Sequence, residues 1–153
     1  MSESVEPSQP NHQPYIKISF FFRKRDDLTY EQFYHYWETV HASLTAATKC
    51  YTDFGILRCV QFQPRPEHKE LVKQMEAASQ GMMVAMAEYD ACTELYVKTW
   101  EDWLKFASSE LHTTVIGPDS VNFVGGPVHV TAGIENLVIG KAIEGLGGKD
   151  GIV

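Results

Sequence analysis

Residues 15–48 read YIKISFFFRKRDDLTYEQFYHYWETVHASLTAAT, and the change of period within this stretch decides the fold. Ile16, Ile18, Phe20 and Phe22 alternate with Lys17, Ser19 and Phe21, so the first part is a strand with one strongly apolar face. Asp26 and Asp27 then lead to Thr29, whose hydroxyl and Gln32 form a Thr-x-x-Gln capping box that opens a helix over residues 30–48. Within it Tyr30, Phe33, Tyr34, Trp37, Val40, His41 and Leu44 recur at steps of three and four, the spacing of one inward side. This stripe ends in a histidine. An imidazole beside Trp37 and Tyr34 suits a pocket that holds a flat apolar ligand and moves a proton. A core histidine bonded to a backbone carbonyl accounts for the stripe equally well.

Outward from this stretch, Gly55 precedes a second strand over residues 56–62, closed by Pro64 and Pro66, which cannot continue a ladder. Leu71, Val72 and Met75 fit a short amphipathic helix within residues 67–78. Gly81 and the soft run Met82, Met83 and Met86 follow it, and the whole segment reads as an insertion that serves as a lid over an apolar substrate. A third strand covers residues 91–97. Thr99 with Asp102 opens a second main helix that points Trp103 and Phe106 at the sheet. Gly125 and Gly126 break the chain before a fourth strand over residues 128–134. Without the insertion the order is strand, helix, strand, strand, helix, strand, a ferredoxin-like α+β arrangement with a four-stranded antiparallel sheet and helices on one face. The opposite face is left partly apolar and calls for a second copy of the chain, hence a homodimer.

The 153 residues, 44% hydrophobic and 22% charged, suit one domain with a real core. Residues 14–143 form that domain, residues 1–13 a disordered polar tail, and residues 144–153 a mobile glycine-rich tail. A formal charge of −7 without a basic stripe disfavours nucleic acid and anionic membranes as partners. The apolar runs are too short to span a bilayer, and no secretory signal is recognisable. Cys50, Cys59 and Cys92 lack metal-ligand spacing and suit a reducing cytoplasm. His35 and His41 face different ways, so no metal site is expected, and no glycine-rich motif offers a nucleotide cofactor a seat.

Three blocks, FFFRKRDDLTYEQFYHYWETVHASL at residues 20–44, YDACTELYVKTWEDWLKF at 89–106 and GIENLVIGKAI at 133–143, resemble the EthD-type dimeric α/β-barrel family. Within it they are similar to the branch from fungal aromatic-polyketide clusters, whose members are assigned as decarboxylases or dehydratases working without a cofactor. The resemblance implies a pocket between sheet and helices, an aromatic polyketide as ligand, and His41 as acid/base.

Decarboxylation leaves an enolate that must be stabilised and protonated, and dehydration needs a base next to a carbonyl and an acid for the departing hydroxyl. A second titratable group is therefore sought among His129, Asp90, Glu94 and His112. Each has a structural alternative: His129 on the dimer face, Asp90 as a turn residue, Glu94 paired with Arg58. Tyr34, Trp37 and Trp103 offer stacking surfaces or ordinary core, and Lys17 and Arg58 a grip on a substrate carboxylate or solvated sheet positions. The expected activity is decarboxylation of a polycyclic β-keto or aromatic acid. Dehydration of a polyketide hemiketal or alcohol, a cofactor-independent monooxygenase or cyclase, and a non-catalytic polyketide carrier are the alternatives.

Overall fold

The computed structural model describes residue 6 and residues 8–80 and 83–152. Gly81 and Met82 of the methionine run fall outside them. Strand β1 (Ile16–Lys24) leads through the Thr29 capping box into α1 (Tyr30–His35), a π-helical turn (Tyr36–His41) and α2 (Ala42–Ala47). A short α3 (Cys50–Asp53) precedes β2 (Ile56–Phe62), and α4 (Pro66–Ala78) follows it. Strand β3 (Ala91–Val97) connects to α5 (Trp100–Ala107), where Thr99 and Asp102 form the second capping box. A second π-helical turn (His112–Ile116), α6 (Gly117–Asp119) and one 3₁₀ turn then deliver the chain to β4 (Val124–Gly133).

The sheet order is β2-β3-β1-β4, with every pair antiparallel, so the ferredoxin-like expectation holds. Register assigns the two faces. Ile18 stands opposite Leu95 and Ala132, and Phe20 opposite Thr93 and Val130, so these side chains share the face that the helices cover. Two buried clusters lie there. Ile18, Ile56, Leu95, Val97, Cys50 and Phe106 form one, and Phe22, Phe33, Tyr34, Trp37, Ala91 and Phe123 the other. Lys17, Ser19, Phe21, Glu94, Tyr96 and His129 belong to the outer face.

Three expectations change. The long helix is not α-helical throughout: the π turn breaks its 3.6-residue period and Val40 leaves the inward stripe for solvent, while Tyr30, the first helical residue, is exposed at the helix start. Gly125 and Gly126 do not end a segment. They sit inside β4 at a register shift opposite Phe21 to Arg23, where Gly126 adopts φ +83° and a Cβ on Gly125 would lie 2.4 Å from the Lys24 carbonyl oxygen. Helix α4 buries none of its residues, and Leu71 and Met75 stay 60% and 59% exposed.

The glycine-rich end is also tied down over its described length. The Asn11 amide donates to the carbonyls of Leu137, Lys149 and Asp150, the Gln13 side chain to Lys149, and the Ala142 N–H to the Asp150 carboxylate. Residues 11–13 and 137–152 are thus packed together, where free tails were expected. Among the described residues no helix is long and apolar enough to cross a membrane.

Candidate functional site

Between the inner face of the sheet and the helices lies a cavity of about 850 Å³. Its walls are mostly apolar, with aromatic rings from Phe20 and Phe22 of β1, Trp37 of the first π turn, Trp103 and Phe106 of α5, and Phe123 before β4. Val130 lines it yet is 54% exposed, so solvent reaches the cavity from the β4 side. A few polar groups interrupt the walls, chiefly His41, His112, Gln61, Thr45 and Thr93. An apolar enclosure with a few placed polar groups is the usual form of a small-molecule site.

His41 closes the first π turn and does not stand alone. Its Nδ1 lies 2.7 Å from Oδ2 of Asp119, while Oδ1 of the same carboxylate accepts the Tyr36 hydroxyl at 2.6 Å and the Asn122 amide at 3.1 Å. Both ionic side chains are largely buried. Burial alone would raise the Asp119 carboxyl, but the bonds from Tyr36, His41 and Asn122 outweigh it and hold the group below the ordinary carboxylate range. An ionised Asp119 keeps the proton on Nδ1, leaving Nε2 of a neutral His41 as the ring nitrogen free for chemistry. The edge of Phe123, 4.7 Å away between ring centres, supports the imidazole from the side.

The π turn makes this geometry. Tyr36 and His41 are five residues apart, which in an α-helix separates their directions by roughly 140°. Hydrogen bonds of the i to i−5 type bring residues five apart toward one face, so both reach Asp119. Hydroxyl side chains cover carbonyls around the distortion: Thr39 bonds the His35 carbonyl and Thr45 the His41 carbonyl at 3.0 Å. Gln61 on β2 fixes the other side of the turn by donating to the Trp37 carbonyl at 2.8 Å.

His112 begins the second π turn, whose closing bond runs from the Gly117 N–H to the His112 carbonyl. Its ring stands edge-on to Trp103 and Phe106, with ring centres 6.0 and 5.2 Å away. Burial pushes its basicity below the ordinary value, and a bond to the Ala107 carbonyl offsets part of that.

The sequence-predicted residues divide cleanly. His41, Trp37 and Trp103 line the cavity. Tyr34 does not: it is buried beneath the Arg65 guanidinium, and its hydroxyl donates to the Asp90 carbonyl at 2.5 Å. Asp90 is likewise outside, because its carboxylate accepts the Lys24 N–H at 2.9 Å and pairs with Lys69 of α4, clasping that helix to the end of β1. Strand alternation places His129 on the outer face, where its Nδ1 meets the Tyr89 hydroxyl at 2.8 Å. Lys17 is on that face too, paired with Glu94 at 3.3 Å and Glu135 at 3.6 Å, so Glu94 takes Lys17 rather than Arg58. Arg58 borders the cavity at edge strand β2, but its guanidinium lies over the Tyr96 ring on the outer face. Nothing from residues 67–87 lines the cavity among the described residues, so the described part of the insertion forms no lid over it.

Sequence reasoning missed Asp119, Tyr36 and Gln61. Asp119 is 78 positions from its partner, and only the fold joins them. Among the described residues no three His, Cys, Asp or Glu side chains gather as a metal site would require.

The EthD domain family matches residues 25–127. A crystal structure of an EthD (ethyl tert-butyl ether d) family protein from Bacillus halodurans superposes with a TM-score of 0.53 at 16% identity, covering 79% of this chain and 98% of that one. A structure from Bacteroides fragilis, described as a dimeric protein of unknown function and ferredoxin-like fold, gives a TM-score of 0.46 at 12% identity, covering 82% and 99%. No curated protein matches the sequence.

Proposed function

This chain belongs to the EthD domain family, and from that premise we propose that it is a lyase that works without a cofactor on an aromatic polyketide acid. The observation that carries this reading is the Asp119-held imidazole of His41 on the wall of an aromatic cavity. Fold alone supports many chemistries, so the proposal rests on this site.

In decarboxylation the bond to the carboxyl carbon breaks and its electron pair moves into the neighbouring carbonyl, giving an enolate and carbon dioxide. Imidazolium at His41 hydrogen-bonds the developing oxyanion from Nε2 and then transfers that proton to carbon. Asp119 stabilises the imidazolium and holds the ring through both steps. A carboxylate among the aromatic walls is poorly solvated, whereas the enolate spreads its charge over the ring system, which favours this direction. Dehydration of a polyketide hemiketal or alcohol is the second reading, favoured by the presence of another histidine on the same cavity. The outer face of the sheet is the surface on which a second copy would dock to give a homodimer. Three free thiols suit the cytoplasm.

The test is mass spectrometry of polycyclic aromatic β-keto acids and β-hydroxy ketones incubated with wild-type and His41→Ala protein. Loss of about 44 Da identifies decarboxylation and of about 18 Da dehydration, either one depending on His41. Binding without turnover would replace the lyase reading with that of a carrier.

A further inference from the structure

We propose that His112 is the second proton-transfer residue of the cavity, removing a proton beside a substrate carbonyl while His41 donates one, an assignment that rests on the lyase reading above. The two imidazoles line one cavity, each at a π turn, yet their surroundings differ. His41 has a carboxylate on Nδ1. His112 has aromatic edges and a backbone carbonyl. The nearby Ala107 carbonyl offsets part of the effect of burying the ring.

No carboxylate or cation shifts the group. Burial among Trp103 and Phe106 and the Ala107 carbonyl are the two influences on its basicity. The charged residues of α5, Glu101, Asp102 and Lys105, and neighbouring Glu110, make no contribution. Neutral imidazole is therefore the resting form of His112 near pH 7. Two imidazoles on one cavity, one held by a carboxylate and one set among aromatic edges, offer the acid and the base that the elimination needs.

Applied to a β-hydroxy ketone the step balances. His112 takes the proton on the carbon next to the carbonyl, that C–H electron pair forms the new C=C bond, and the C–O bond to the hydroxyl breaks. The departing hydroxide takes the Nε2 proton of His41 and leaves as water. Transfer of the His112 proton through solvent to His41 restores both rings.

Base chemistry can be read without loss of carbon dioxide or water. With 2-tetralone in D₂O, deuterium uptake at the carbon between ring and carbonyl, followed by NMR, should be faster with the wild-type protein than in buffer. His112→Phe keeps an aromatic ring and removes the base. It should reduce the protein-dependent exchange by about 10²-fold while tetralone binding, read from tryptophan fluorescence, changes by less than about threefold. Unchanged exchange in this variant, or no wild-type exchange above buffer, overturns the assignment. A misfolded variant leaves a test on the wild type: its exchange rate should pass half of its maximum below about pH 6.5, the ordinary histidine value, and a rate still climbing at about pH 8 overturns the assignment. Failure of the lyase reading is separate, since it shows as no mass loss from the acid and hydroxy-ketone panel.

Discussion

Tyr36 and His41 hydrogen-bond the two oxygens of one carboxylate, Asp119, although they are five residues apart in a continuous helical run. The carboxylate therefore holds the π turn and the imidazole together. Asp119→Asn keeps the shape but removes the charge that stabilises an imidazolium. It can also present an N–H to Nδ1 and so reverse the tautomer. Turnover in the mass-loss assay should fall by about 10²- to 10⁴-fold with ligand binding nearly unchanged. Tyr36→Phe removes one donor and should cost about tenfold at most. Equal losses in binding and rate for Asp119→Asn would show that the carboxylate shapes the cavity rather than supporting proton transfer.

Because the π turn contains one residue more than an α-helical turn needs, removing Val40, which faces solvent, should let the helix run on as regular α-helix. Tyr36 and His41 would then be four apart in a regular α-helix and still share one face, so both keep their reach to Asp119. The expected result is a melting temperature equal to or above wild type with turnover within about tenfold of it. A loss of about 10²-fold or more would show that the π turn itself aims the imidazole.

Much of the fold was legible because local signals agreed with tertiary demand. Thr29 with Gln32 and Thr99 with Asp102 form the capping boxes their spacing announced, and β2 and β3 run over the residues their flanking glycine, prolines and alternation defined. Two of the misreadings, the inward stripe beyond Trp37 and the start of β4, share one physical origin. Stripe analysis assumes a constant 3.6-residue period, and strand analysis a constant two. The π turn and the Gly125–Gly126 bulge each insert extra residues and shift everything beyond them. A faint signal existed, since Thr39 within the first π turn and Thr45 just after it bond back to His35 and His41, and Thr113 and Thr114 bond back to Ser109 and Glu110 in the second. The candidate site was half legible: His41, Trp37 and Trp103 came from periodicity. Asp90 was the wrong carboxylate because proximity in sequence to a strand end says nothing about which face it serves.

Asp90 and Lys69 provide the contrasting case of a charged pair with a structural task. The pair is largely buried, and Asp90 also caps the Lys24 N–H, so Asp90→Ala leaves a cation and an amide without partners. A loss of about 2–3 kcal/mol in urea unfolding is expected. The activity of the folded fraction should stay at the wild-type level, because neither residue lines the cavity. A specific loss of turnover at unchanged stability would return Asp90 to the catalytic set.

Acid stability follows from two groups whose folded-state pKa values are both lowered, and the sign is the same for each. The unfolded chain binds protons more readily than the folded one, so stability is full above the unfolded value and is lost as pH falls through the folded one. For His112 that loss begins below about pH 6.5, and for Asp119 below about pH 4. Urea midpoints measured from pH 8 to pH 3 should therefore fall in two stages. His112→Phe should flatten the upper stage alone, and Asp119→Asn the lower stage alone. A His112→Phe curve parallel to wild type between pH 7 and 5 would mean that the buried imidazole is protonated in the folded protein as easily as in the unfolded chain. It would then reach the cavity as an acid, and its place as the base opposite His41 would be lost.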